Sequence, residues 1–311
     1  MLDLHPCRQR TFKQRASLEG VGLHSGLVVR VTLCPAPADS GIVFERIDLT
    51  PRVEIPALAE YVVDTLLNTS VGKGGARVGT IEHLMAALAG CGIDNARVEL
   101  DGPEVPILDG SSMLFVQLIR EAGVKEQAAT RRYLHVKRPV EVKEGDKLAR
   151  LVPAARFSCR YIIDFKHPLI TDQLFEVELG EKAFRKEIAR ARTFGFKRDV
   201  ERLHAAGLAL GGSLENAVVV DDFHILNPEG LRFPDEFVRH KILDAIGDLA
   251  LIGMPVLGRL EAVKSGHALN HQLVRRALSE PGACEVVRPR GERELSELIQ
   301  SVPSFAGLEV A

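Results

Sequence analysis

One pattern constrains this chain most: each half ends on the same order of elements, helix, strand, helix, after a group of strands. In the first half short β-branched or alternating runs, LVVRVTL (27–33), GIVFER (41–46) and YVVDT (61–65), are separated by Gly, Pro and Asp and read as strands. TIEHLMAALAG (80–90) then changes period to a short helix, with Thr80 as N-cap and Gly90 as stop. The strand NARVEL (95–100) follows, then the turn-rich DGPEVPILDGSS and a helix from Ser111 to Ala122. The second half repeats this: strands in YLHVKRPVEV, CRYIIDF and FEVEL, a helix in KRDVERLHAAG, a strand LENAVVV, a long helix over 235–252, a strand VLGRLEAV and a helix from His267 to Leu278.

The repeated order predicts an α+β protein: two similar two-layer α/β sandwich domains, packed helix layer to helix layer with a cleft between them. A length of 311 residues accommodates two such cores. The polar GVKEQAATRR (123–132) lacks an apolar period and is the expected linker. The expected units are therefore 1–124, 131–280 and an irregular or weakly helical tail over 281–311.

Composition excludes several classes. A net charge of −2 gives no electrostatic footprint for nucleic acid. The N-terminal stretch MLDLHPCRQRTFKQR lacks the apolar core of a secretory signal, and no segment approaches 18 uncharged apolar residues, so a cytoplasmic protein without a membrane span is expected. Five widely spaced cysteines with no C-x-x-C pair argue against a disulfide framework or a thiolate metal site. A metal would have to use His and carboxylates.

FVRHKILDAIGDL (237–249) supplies such groups. At about 100° per residue from His240, Asp244 falls at about 40°, Asp248 at about 80° and Lys241 at about 100°, while the apolar residues fill the opposite arc. His240 and Asp244, four apart, can reach one ion from successive turns. Spacing alone fits a solvated polar face at least as well. Glu82 and His83 in TIEH are the best further donors, a carboxylate beside a ligating imidazole being able to take a proton from an attacking water. Read alone, Glu82 more readily complements a helix dipole and His83 more readily sits in a core. KSGHALNH (264–271) places His267 at a helix start, with Gly266 allowing close backbone approach. ARTFGF (191–196) offers the Thr193 hydroxyl and an apolar wall in Phe194, although a loop threonine more often caps or turns.

Taken together, TIEHLMAALAGCGIDN, PILDGSS, ARTFGF, GLRFPDEFVRHKILDAIGDL and KSGHALNH, in that order over roughly residues 10–280, resemble the zinc-dependent UDP-3-O-acyl-N-acetylglucosamine deacetylases of lipid A biosynthesis. The resemblance implies removal of the N-acetyl group from UDP-3-O-(3-hydroxyacyl)-N-acetylglucosamine, with release of acetate. It implies the two-sandwich fold, each sandwich bearing an insert. It implies Zn2+ held by His83, His240 and Asp244, and Glu82 as general base. His267 would be the cationic acid, oriented by Asp248, with Lys241 and Thr193 contacting substrate and transition state. An acyl channel is implied in the insert at about 195–219, with Phe194, Val200, Ala209, Leu214 and Val219 as its expected walls. Lys264 is expected near the diphosphate, and IIDFKHP (162–168) on the nucleotide side. The implied partner is a UDP-linked acylated amino sugar, and a monomer is expected. Members of the family can carry cysteine where Asn68 stands. The runner-up is a zinc amidohydrolase acting on another N-acetylated sugar or nucleotide.

Overall fold

The structure is a computed structural model that describes residues 7–300 and 302. Two five-stranded sheets share one topology. The first runs, in spatial order, Ala16–Val21, Val28–Pro35, Ala96–Leu100, Ile42–Arg46, Val53–Pro56. Its central strand Ala96–Leu100 lies antiparallel to Val28–Pro35 and parallel to Ile42–Arg46. The second runs Val140–Glu144, Lys147–Val152, Arg259–Val263, Ser158–Ile163, Gln173–Glu178, with Arg259–Val263 likewise antiparallel to one neighbour and parallel to the other. The repeated order of elements in the sequence is thus a repeated sheet.

Seven helices accompany the sheets among the described residues: α1 (Glu82–Gly90), α2 (Met113–Ala122), α3 (Glu181–Ala183), α4 (Lys197–Ala205), α5 (Glu236–Leu249), α6 (His267–Ser279) and α7 (Glu292–Gln300). Helix α1 is apolar almost all round, and Leu84, Met85, Ala86, Ala87 and Leu88 are all buried. A helix without a polar face must be covered on every side. It packs against α5, and a Cβ at Gly247 would lie 2.1 Å from the Glu82 carbonyl oxygen. Only a glycine there lets the two backbones approach so closely. Helix α5 continues as a 3-10 turn, Ala250–Ile252, so the periodic stretch 235–252 is helical as expected.

Several boundaries differ from the sequence reading. Residues 124–130 are not a free linker but a strand, Val124–Thr130, antiparallel to Arg8–Phe12. Main-chain hydrogen bonds to the N-terminal strand hold this polar stretch, so apolar periodicity is not needed to order it. The expected tail is also structured: Cys284–Val287 pairs antiparallel with Tyr133–Val136, and α7 buries Leu295 against Cys7, Tyr133 and Leu257. Residues 1–6, 301 and 303–311 of the expected units lie outside the described residues. VLGRLEAV divides at Gly258 into Val256–Leu257 and Arg259–Val263, strands of two different sheets. LENAVVV is a strand only over Val218–Val220, parallel to Phe194–Phe196. Thr80 is no N-cap: it takes φ 54° and its hydroxyl donates to Glu104 Oε1 at 2.8 Å, leaving Ile81 as an N-cap without a side-chain hydrogen bond.

Each sheet has an insert before its helices: the hairpins of Val62–Asp64, Ser70–Lys73 and Ala76–Val78 in the first half, and Phe194–Phe196, α4 and Val218–Val220 in the second. No helix among the described residues is long and apolar enough to cross a membrane.

Candidate metal centre

Helices α1 and α5 meet where the first turn of one faces the middle of the other, and this crossing gathers the ionisable groups. His83, His240 and Asp244 each offer a ligand atom, all within 4.8 Å of one another. They are 3%, 2% and 4% exposed, which rules out a solvated face. Asp244 Oδ1 lies 3.5 Å from His83 Nε2 and 3.3 Å from His240 Nε2. Ligands at about 2.0–2.1 Å from a tetrahedral ion stand about 3.3–3.4 Å apart, so these spacings suit one ion.

Hydrogen bonding fixes which atoms face inward. His240 Nδ1 lies 3.0 Å from the Ala191 carbonyl, which can only accept, so Nδ1 carries the proton and Nε2 presents a lone pair. Lys241 Nζ donates to Asp244 Oδ2 at 2.7 Å and leaves Oδ1 free. Burial opposes ionisation of Asp244, but His240, when a second proton on Nε2 makes it cationic, and Lys241 outweigh it and hold the carboxyl well below its usual range. Burial pushes His83 down toward the neutral form that ligates metal. A neutral imidazole and a carboxylate turned lone pair to lone pair repel, and a cation between them removes the conflict. The donor set therefore fits a metal ion.

Beside these three residues stand a carboxylate and an imidazole. Glu82 Oε2 accepts from the Thr69 amide at 3.0 Å, while Oε1 lies 3.9 Å from His267 Nε2. Burial pushes Glu82 up to about 7. His267 Nδ1 sits 2.9 Å from Asp248 Oδ2, and that carboxylate, overcoming the burial that would depress the imidazole, raises it to about 9. Two further residues hold Asp248 in place: Thr69 Oγ1 donates to Oδ1 at 2.6 Å and Asn270 Nδ2 to Oδ2 at 2.8 Å. Sequence reasoning missed both. Asn270 was the more legible, since it lies one turn beyond His267 on α6.

Other expected residues sort differently. Lys241 holds the Asp244 carboxylate rather than pointing freely at a ligand. Thr193 joins the strand pair through its backbone, donating to Gly110 O and accepting from Val218 N, both at 2.8 Å. Phe194 stands against His240 with ring centroids 6.3 Å apart, and against Phe165 at 5.3 Å. Val200, Ala209 and Val219 are half-buried and Leu214 is exposed along the second insert. Lys264 is engaged by Asp146 and Asp164, each at 2.9 Å. Gly266 is extended, with no protein atom within 4 Å of where a Cβ would stand. Asn68 donates to Thr80 Oγ1 at 2.9 Å. A separate cavity of about 340 Å³ opens where α1 and α5 end, lined by Met85, Leu88, Ile246, Leu249 and Met254, and contains none of these groups.

Convergent buried ligands with a carboxylate and a cationic imidazole facing one small volume are what metal-assisted hydrolysis demands, and that is the class this fold and site define. Comparison with known proteins narrows it. The family model described as "LpxC: UDP-3-O-acyl N-acetylglycosamine deacetylase" matches residues 9–279, and the chain belongs to that family. A protein of Anaeromyxobacter dehalogenans (strain 2CP-C) named UDP-3-O-acyl-N-acetylglucosamine deacetylase is 63% identical over 298 residues, 96% of each chain. Proteins of the same name from Myxococcus xanthus (strain DK1622) and Geobacter sp. (strain M21) are 60% and 53% identical, over 96% and 97% of this chain and 95% and 99% of their own.

Proposed function

We propose that this protein hydrolyses the N-acetyl group of UDP-3-O-acyl-N-acetylglucosamine, releasing acetate and a free amine, as a zinc enzyme of lipid A biosynthesis. The observation that carries the reading is the meeting of His83, His240 and Asp244 within 4.8 Å, beside Glu82 and His267. Family membership and relatives of that name at up to 65% identity supply the substrate. Zinc suits two imidazoles and one carboxylate with a fourth position open. When bound it would polarise the amide carbonyl and acidify a water.

The chain's own groups do the rest. Glu82, anchored through Oε2 and free at Oε1, takes the proton of the attacking water as oxygen adds to the acetamide carbon. The Thr193 hydroxyl, and Lys241 through the protons its bond to Asp244 leaves over, would donate to the oxyanion, where losing one donor commonly costs about 3 kcal/mol. The C–N bond then breaks, and the nitrogen leaves with a proton from His267, or from Glu82 with His267 stabilising the charge. Asp248 keeps that imidazole cationic and aimed. Phe194, Val200, Ala209, Leu214 and Val219 form the acyl channel, and Lys264 serves the diphosphate by exchanging one of its two carboxylate partners. Residues 1–124 and 131–280 act as the two units around the cleft, with the protein a cytoplasmic monomer.

The test is deacetylation of the UDP-linked acylated sugar by the purified protein, abolished by chelator and restored by zinc. Equal turnover of the same sugar lacking the 3-O-acyl chain would overturn the substrate assignment in favour of a broader amidohydrolase.

A further inference from the structure

We propose that Arg192 and Glu236 are positioning residues that set the metal site from outside it, by fixing the backbone seam that holds both ligand histidines. This deepens the reading above and rests on its metal-centre assignment. Neither residue faces the site. Arg192 is 2% exposed and Glu236 0%.

The pair saturates itself. Glu236 Oε1 accepts from the Arg192 amide and from Arg192 Nε, each at 2.9 Å. Oε2 accepts from Arg192 Nη2 at 3.2 Å and from the Arg232 amide at 2.6 Å. Arg192 Nη2 also donates to the Gly230 carbonyl at 2.6 Å, and Nη1 to Glu229 at 2.5 Å. Burying two full charges is a poor way to gain stability, because desolvation consumes most of the attraction. What such a network does provide is one backbone arrangement rather than many.

The arrangement it selects is the one the metal site needs. Glu236 lies in the first turn of α5, one turn before His240. Arg192 lies between Ala191, whose carbonyl takes the His240 Nδ1 proton, and Thr193, whose amide donates to Gly110 O at 2.8 Å. Pinning the Arg192 side chain to α5 therefore fixes the carbonyl that selects the His240 tautomer. The same segment reaches the other histidine. Ser112 donates its amide to Ala189 O at 3.0 Å, and its hydroxyl to His83 O at 2.7 Å. Arg232, held by Glu236, closes the seam by donating to Asp109 Oδ2 at 2.9 Å and Arg190 O at 3.0 Å. At Gly110, φ 79°, a Cβ would lie 2.1 Å from Asn216 O, so the seam has no slack.

Glu236→Gln keeps the shape but turns an amide donor toward donors, and Arg192→Lys keeps the charge but loses the fork. Three readouts apply to the full chain: zinc affinity by competition with a chromophoric chelator, the His240 tautomer in metal-free protein by nitrogen-15 NMR, and kcat and KM. Expected for Glu236→Gln are a loss of zinc affinity of at least about 10-fold, a similar fall in zinc-saturated kcat, KM within about 2-fold, and loss of the single Nδ1–H tautomer. Arg192→Lys should fall between it and the parent. Val98→Ala, a core change in the first sheet, supplies the comparison: it should lower Tm without altering zinc affinity or tautomer. If both seam variants keep the parent's zinc affinity and tautomer, or lose no more of them than Val98→Ala does, the positioning role is overturned. Should Glu236→Gln fail to fold, Arg192→Lys decides alone. A parent protein that binds no zinc sinks the metal reading itself, an outcome distinct from failure of the seam.

Discussion

A buried imidazole ordinarily sheds its proton, because low polarity disfavours charge, yet His267 is raised to about 9. The reason is Asp248, 2.9 Å away and itself held by Thr69 and Asn270. Glu82 moves the other way for a carboxylate, pushed up to about 7 by burial. Catalysis through an ionised Glu82 and a protonated His267 predicts a bell: kcat/KM rises with pH through about 7 and falls through about 9. A bound cation favours carboxylate over carboxylic acid and neutral over charged imidazole, so both limbs lie lower in the loaded enzyme. Asp248→Asn should move the alkaline limb to lower pH and reduce kcat about 10–100-fold, measured as a pH–rate profile. An unmoved alkaline limb would detach that limb from His267. The same pair bears on folding. His267, raised in the folded state, contributes stability complete below its unfolded value and lost as pH rises through about 9. Asp248, lowered, contributes stability present above its unfolded value and lost as pH falls through the folded one.

At the scale of elements, the crossing of α1 and α5 sets the spacing of the three candidate ligands, since one carries His83 and the other His240 and Asp244. Gly247→Ala would place a methyl 2.1 Å from the Glu82 carbonyl, against backbone that cannot swing aside. Overpacking of this kind costs about 1–3 kcal/mol, and here it also separates ligands on the two helices. The expected result is a lower Tm together with a loss of zinc affinity; a drop in Tm alone would mean that the helices move apart without disturbing the ligands. That glycine shows what sequence could and could not convey. The ionisable arc of α5 was legible because helical periodicity is local, and 3.6 residues per turn place His240, Asp244 and Asp248 together whatever surrounds them. Whether the arc met solvent or a second helix was not legible, since burial is a property of the partner. Thr69 was invisible for the same reason: it reaches Asp248 across 179 positions of chain. Thr80 misled because threonine before a helix usually caps it, whereas here Glu104 captures the hydroxyl. The stretch 124–130 misled because its order comes from main-chain pairing with Arg8–Phe12, which leaves no apolar period to read.

For the molecule as a whole, the repeated sheets and the C-terminal elements make separable contributions. Ending the chain after Glu280 removes the strand Cys284–Val287 and the Leu295 contact with Tyr133 and Leu257, but no residue of the site. Loss of that burial should reduce stability by roughly 2–4 kcal/mol while leaving kcat of the folded fraction unchanged, checked by denaturant titration beside a turnover assay. On the proposed zinc assignment, a metal acts on a different joint. His83 comes from the first half and His240 and Asp244 from the second, so an ion binds the folded arrangement and has no equivalent site in the unfolded chain. Linkage then fixes the size of the effect: free zinc at about 100 times its Kd adds about 2.7 kcal/mol, and about 4.1 at 1,000 times. Chelation should therefore lower Tm by several degrees, reversibly, and zinc should restore it in proportion to the logarithm of its free concentration. His240→Ala should abolish that dependence, because two remaining ligands cannot hold the ion at these concentrations. A Tm indifferent to chelator in the parent protein, or one still zinc-dependent in His240→Ala, would place the ion elsewhere than between α1 and α5.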